Sequence, residues 1–274
     1  MGRGAPVVAD DWGSAAAFSD AFMVVLKESA PWVAFYTAIF FLSREIGPAM
    51  FSHCAKLSPD QVDYWAASIA SCINCFIIVP MAWSACADLG LLNADASFTT
   101  TSPLSTMCCY AMVGYTAYDL MPLLYHRKKW GGVGMYLVHH ICTLLSWGVA
   151  ASTGYAHSVA VPVLLLEITG PFTNMRWFLH TAGLKDTTLY LVNGVCMTIS
   201  FFVLRVVFNW WLFITRFVLQ REAFLMQPIW IRYFYYFLFP TNLALQLLWF
   251  KKIVDGVLKL LGVGASDAKA KKKK

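Results

Sequence analysis

Two adjacent histidines, His139 and His140, sit inside the apolar run "MYLVHHICTLLSW", Met135 to Trp147. A neutral imidazole there could take a proton from an attacking amine or hydroxyl, or attack a thioester itself. A carboxylate nearby would orient the ring or steady its cation, and Glu167 is the acid in the apolar stretch that follows. Asp119, Asn174, Arg176, Asn193 and Arg205 also fall in apolar surroundings. Insertion scales put a charge near a bilayer centre at a cost of about 2.5–3.5 kcal/mol, so such groups need partners or a shared polar cavity. His139, His140 and Glu167 are therefore the catalytic candidates. Asp119, Asn174, Arg176, Asn193 and Arg205 are the candidates for holding a substrate's polar part. Residues one apart on a helix point about 100° apart, so the two histidines cannot both face one point.

Metal chemistry has little support. The chain has six histidines, and His53, His126, His157 and His180 read as scattered at interfaces. Cys72 and Cys75 form a C-x-x-C with no second pair to complete a zinc site. The cysteines fall mostly in apolar runs, where a free thiol packs as a small hydrophobe.

The elements that position these groups follow from composition. The chain is 59% hydrophobic and only 13% charged over 274 residues, against about 25% charged in an ordinary soluble domain. A membrane protein is the first reading. Seven spans are expected, near 22–43, 66–87, 103–125, 133–152, 157–180, 188–214 and 228–250. The first is the weakest because Lys27 and Glu28 interrupt it. The connection over 44–65 has room for a surface helix, and "SPDQ" at Ser58 is a helix start. Pro162 and Pro171 predict a kink that widens a cavity around Glu167. "IRYFYYFLF" and Trp210-Trp211 read as interface anchors and packing.

Lysine and arginine collect on one side: Arg44, Lys56, Arg127, Lys128, Lys129, Lys185 and the C-terminal tail. That side should be cytosolic, with the N-terminus lumenal. The other side includes Arg216 and Arg221 in its last connection. In this frame the two histidines, Asp119, Glu167, Asn174, Arg176 and Asn193 gather in the cytosolic half. Arg205 lies deeper, with Glu167 as one possible partner. The basic tail argues for a cytosolic face and against nucleic acid. No cleavable signal peptide is evident, and Pro6 occupies the place where myristoylation wants Ser or Thr. "AKAKKKK" puts Lys271 and Lys272 third and fourth from the end. That resembles a dilysine retrieval signal read by coat-protein machinery at the endoplasmic reticulum.

"GYTAYDLMPLLYHRK", "HHICTLL", "LLLEITGPFTNMRWFL" and "NGVCMTISFFVLRVV" together resemble the TLC-domain family over about residues 60–255. The resemblance implies an all-helical bundle of about seven spans, six of them around a central cavity. The expected organisation is an N-terminal segment with the first span (1–60), a TLC domain (61–255) and a basic tail (256–274). The family includes ceramide synthases, which move an acyl chain from acyl-CoA to a sphingoid amine. That implies His139-His140 as a catalytic pair, with Glu167 as the following acid. Arg127, Lys128 and Lys129 would then hold the phosphates of acyl-CoA as co-substrate, though topology alone also accounts for them. Ceramide synthases carry further acids and a homeobox-like insert, which this chain lacks. It looks closer to the smaller TLC-domain proteins linked to membrane lipid composition. Two readings stand: an intramembrane lipid-binding protein, or an acyl-CoA-dependent acyltransferase. A channel or transporter is a weaker third, because no inverted repeat is visible.

Overall fold

A computed structural model describes residues 15–260, and the expectations for the N-terminal fourteen residues and for Lys271 and Lys272 lie outside them. The described chain is helical with no strand, as the apolar composition requires when every backbone group must be satisfied away from water. α1 (Ala15–Met50), α2 (Pro59–Leu89), α3 (Pro103–Tyr125) and α4 (Val133–Thr153) pass up and down in sequence. The fifth pass is broken: α5 (His157–Val163) tightens into 3₁₀-helix over Leu164–Thr169 and resumes as α6 (Gly170–Thr181). The sixth begins as α7 (Thr188–Ser200), widens into π-helix over Phe201–Phe208, returns as α8 (Asn209–Phe213) and widens again over Ile214–Leu219. A short α9 (Arg221–Leu225) leads into α10 (Ile229–Leu260).

Five of these seven passes are long and apolar enough to cross a membrane by length and composition. α3 and α10 are as long but carry more Tyr, Thr, Asn and Gln, and they fall short in mean hydropathy. The helices run past the sequence estimates because they continue into polar flanks. α1 reaches Met50, leaving only a 3₁₀ turn at Cys54–Lys56 before α2, and no surface helix forms there. The Ser58 start holds: Pro59 opens α2, and the Gln61 side chain accepts the Ser58 N–H at 3.0 Å. α3 opens on a reciprocal pair, Ser105 N–H to Ser102 Oγ at 3.1 Å and Ser102 N–H to Ser105 Oγ at 2.8 Å.

α1 is tied in despite Lys27 and Glu28. Gly114 of α3 lets it approach so closely that a Cβ there would stand 2.4 Å from Trp32 Cβ and 2.7 Å from Ser29 O. Small residues serve close helix packing in the same way wherever lipid offers no drive to associate. The Tyr36 hydroxyl, fully buried, donates to Asn74 Oδ1 at 2.9 Å.

The face bearing the α2–α3 connection is locked by two residues read differently in the sequence. Arg216 was placed in a connection, but the helix continues to Leu219 and the side chain is fully buried. Its guanidinium donates to Leu91 O and Asn93 O at 2.8 Å, Ala94 O at 2.9 Å and Ser158 O at 3.2 Å. His157 is also fully buried, not at an interface. Its Nε2 donates to Ala150 O at 3.0 Å, so Nδ1 is left to accept the Ser105 hydroxyl at 2.8 Å.

Arg216→Leu strands those carbonyls, and each buried group left unmet costs about 1–3 kcal/mol; a large fall in the detergent unfolding midpoint is expected. Gly114→Val forces α1 and α3 apart and should cost about 1–3 kcal/mol by the same measurement.

Candidate functional site

Six passes surround a cavity of about 340 Å³, and α1 contributes nothing to its lining. α2 gives Tyr64, Ser68 and Ser71; α3 gives Thr116 and Asp119; α4 gives Tyr136, His139, His140 and Thr143. The broken fifth pass gives Glu167, Thr169, Thr173 and Asn174. The sixth gives Met197, Phe201 and Arg205, and α10 gives Trp249, Lys252 and Ile253. A narrower pocket of about 50 Å³ shares Met112, His139, Thr143, Glu167 and Arg205 with it. It runs on past Cys142, Ser146 and Trp147 toward Asn242 and Gln246.

The two histidines have separate environments, as their angular offset requires. His140 Nδ1 meets Tyr136 O at 2.7 Å, and a carbonyl only accepts, so Nδ1 carries a hydrogen. His140 Nε2 meets Asp119 Oδ2 at 2.7 Å. A carboxylate facing a ring nitrogen that closely needs a proton between them, on one side or the other. His140 and Asp119 therefore act as one proton-holding unit, largely buried. The His139 ring has no hydrogen-bond partner among the described residues. It rests edge-on against His140 at 5.5 Å and Trp249 at 5.2 Å, and it borders both cavities.

Glu167 and Arg205 form the second pair, Arg205 Nη2 to Glu167 Oε1 at 3.2 Å. Arg205 Nε also donates to Thr169 Oγ1 at 2.6 Å and Nη1 to Gln246 Oε1 at 3.4 Å. Backbone geometry sets this meeting up. The 3₁₀ stretch between Pro162 and Pro171 presents Glu167, and the π stretch presents Arg205. π segments inside α-helices occur frequently at functional sites.

Of the remaining expected residues, Asn174 borders the cavity and donates to Ser68 O at 3.3 Å and Cys72 Sγ at 3.4 Å. Arg176 and Asn193 do not line it. Arg176 lies over the Tyr190 ring at 4.3 Å, and Asn193 Nδ2 donates to Phe172 O at 2.9 Å, so both join α6 to α7. Arg127, Lys128 and Lys129 also stay outside the lining. Arg127 Nη1 donates to Leu124 O at 3.1 Å, and Lys129 Nζ binds Asp60 Oδ1 at 2.7 Å. Asp60, by accepting that bond, holds the Lys129 ammonium above its ordinary value, so this cation is already engaged. Among the described residues no cluster of His, Cys, Asp or Glu could hold a metal ion.

Sequence reasoning missed a turn that borders the cavity. Trp130 and Gly131, between α3 and α4, border the cavity. Trp130 is held by its Nε1–H to Asp60 O at 3.2 Å and by stacking on His126 at 4.7 Å. His126, buried rather than interfacial, has Nε2 3.0 Å from Asp63 Oδ2, and Arg44 Nε reaches Asp63 Oδ1 at 2.6 Å. Lys252 was also missed, absorbed into the basic tail.

A double-mutant cycle on Asp119→Asn and His140→Gln should show a coupling of about 1–2 kcal/mol in detergent unfolding; simple additivity would mean the two do not act as a unit.

Residues 64–255 match the TLC domain family. TLC domain-containing protein 4-B of Danio rerio is 25% identical over 203 residues, covering 71% of this chain and 68% of that protein. TLC domain-containing protein 4 A of Dictyostelium discoideum is 23% identical over 254 residues, 92% of this chain and 96% of its own. TLC domain-containing protein 4 of Homo sapiens is 29% identical over 94 residues, 34% of this chain and 35% of its own. No solved structure matches. Matched over more than half its length, and folded as a helical membrane bundle around a polar cavity, the chain belongs to the TLC-domain family.

Proposed function

We propose that this protein binds a membrane lipid or acyl chain in its intramembrane cavity and acts in lipid homeostasis at the endoplasmic reticulum. One observation carries the reading: paired ionisable groups from four passes line a cavity of about 340 Å³ that sequesters them from hydrocarbon. Cavities of roughly 300–1,000 Å³ with a few convergent polar groups are the usual form of small-ligand sites. The polar chamber suits a lipid's head, and the narrower pocket past His139, walled in part by Trp147, Val159, Val163 and Leu166, takes the first carbons of its chain. The TLC family is lipid-related in general, which agrees with this reading. The Lys271-Lys272 pair resembles a dilysine retrieval signal, and this resemblance supports the proposed residence in the endoplasmic reticulum through coat-protein retrieval, with the tail in the cytosol.

The free His139 ring favours acyl transfer as the second reading. His139 would take the proton of an amine or hydroxyl as that group attacks the thioester carbonyl of acyl-CoA. The carbon–sulfur bond breaks, and the thiolate leaves with that proton. The Asp119–His140 unit would hold the geometry and shield the proton inventory of the site.

Lipid extracted from the purified full chain should be a defined species near stoichiometric amount, and Ser71→Trp, which fills the chamber, should empty it. A chain purified without lipid would overturn the binding role. Acyl transfer from acyl-CoA that His139→Ala abolishes, with the fold intact, would establish the second reading. Lys271→Ser with Lys272→Ser should shift the protein out of endoplasmic reticulum fractions; unchanged distribution would remove that part of the proposal.

A further inference from the structure

Charge inside the chamber cancels in pairs, Asp119 with His140 and Glu167 with Arg205. Lys252 breaks this balance. It lines the same chamber from α10, and its ammonium contacts Met135 Sδ at 3.2 Å, an uncharged thioether. No carboxylate lies within ion-pair distance of it among the described residues, and its exposed side chain stands at the rim. Its neighbour Lys251 pairs with Asp255 at 2.7 Å and does not line the chamber. Lys252 follows Trp249 by three residues, about one helical turn or 5 Å of rise, and the Trp249 ring touches His139. The unmatched cation therefore stands about one turn outward from the free imidazole.

A second observation points to a ligand deeper in. Thr116 lines the chamber three residues before Asp119, and its hydroxyl is buried with no protein partner. A threonine in a helix commonly returns its hydroxyl to a carbonyl of the preceding turn, as Thr143 does to His139 O at 2.9 Å. Thr116 does not, so a ligand oxygen or amide is the natural occupant beside it.

We propose that the chamber takes an amphiphile bearing a phosphate ester, with the phosphate on Lys252 at the rim and an uncharged polar group beside Thr116. This deepens the lipid-handling role and rests on it. An anionic oxygen gains a charge-assisted bond at Lys252. A second anion further in would face Asp119 and Glu167, whose cations are already taken. The phosphate could come from a lipid head or from an acyl-CoA thioester; the chemistry at Lys252 is the same.

The test titrates the purified full chain in detergent with palmitoyl lysophosphatidate, palmitoyl-CoA, monopalmitoylglycerol and inorganic phosphate, reading the shift in unfolding temperature. The phosphate-bearing amphiphiles should bind about tenfold more tightly than monopalmitoylglycerol, the size of one good charged contact. Lys252→Glu should erase that preference. Lys252→Arg and Lys251→Glu should retain it. The tighter of lysophosphatidate and palmitoyl-CoA identifies the source of the phosphate. Equal binding with and without phosphate, or equal loss in Lys251→Glu, overturns the proposal while the lipid-handling role stands. Inorganic phosphate alone binding as tightly as the amphiphiles also overturns it. If no amphiphile binds at all, both fall together.

Discussion

A hydrocarbon surrounding offers no partner to a polar group, so such groups must be answered from within the protein or by what its cavity encloses. That constraint organises this bundle. Asp119 is answered by His140, Glu167 by Arg205, and Arg216 by four backbone carbonyls. The irregular backbone follows from the same need. The fifth pass tightens at Glu167, and the sixth loosens at Arg205 and again at Arg216. A regular α-helix repeats its faces every 3.6 residues, and these departures shift the faces where the charges sit. The polar interior is thus held by local changes of helical pitch as much as by side-chain choice.

The adjacent histidines divide the labour that a single residue could not perform. One ring is saturated by a carbonyl and a carboxylate, so it is fixed in place. The other is held by ring contacts alone, has no hydrogen-bond partner among the described residues, and borders both cavities. Side-by-side placement on one helix gives a rigid, proton-bearing unit next to an unengaged imidazole, with the fixed ring serving as the wall for the free one.

Much of the architecture was legible in the sequence because apolar length and proline position are local signals. The seven helical passes, the Ser58 start and the break around Glu167 all come from such signals. The ends of α1, α2 and α10 were not, because helices outlast the apolar run when polar flanks remain good helix formers. Membership of a helical pass was readable, but direction around the helix axis was not. Arg176 and Asn193 lie on the expected helices yet turn toward Tyr190 and Phe172. His126 and His157 looked peripheral, and tertiary partners more than sixty and fifty residues away bury them. Arg216 looked like a loop residue because nothing in an apolar run announces a π stretch. Cys72 and Cys75 behave as packing, with the Cys72 sulfur accepting from Asn174.

The leading helix has an unusual standing. α1 precedes the family-matched region, adds no side chain to the chamber, and still buries Tyr36 against Asn74 and Tyr118. It works as an external buttress, bracing the wall formed by α2 and α3 without meeting what that wall encloses. A buttress answers to the shape of the masonry it leans on, whereas the room behind answers to its contents. Only its outward side, where Phe41 and Leu42 stand exposed, is left free to follow the thickness and composition of its host bilayer, while Trp32 and Tyr36 must keep the fit to the wall.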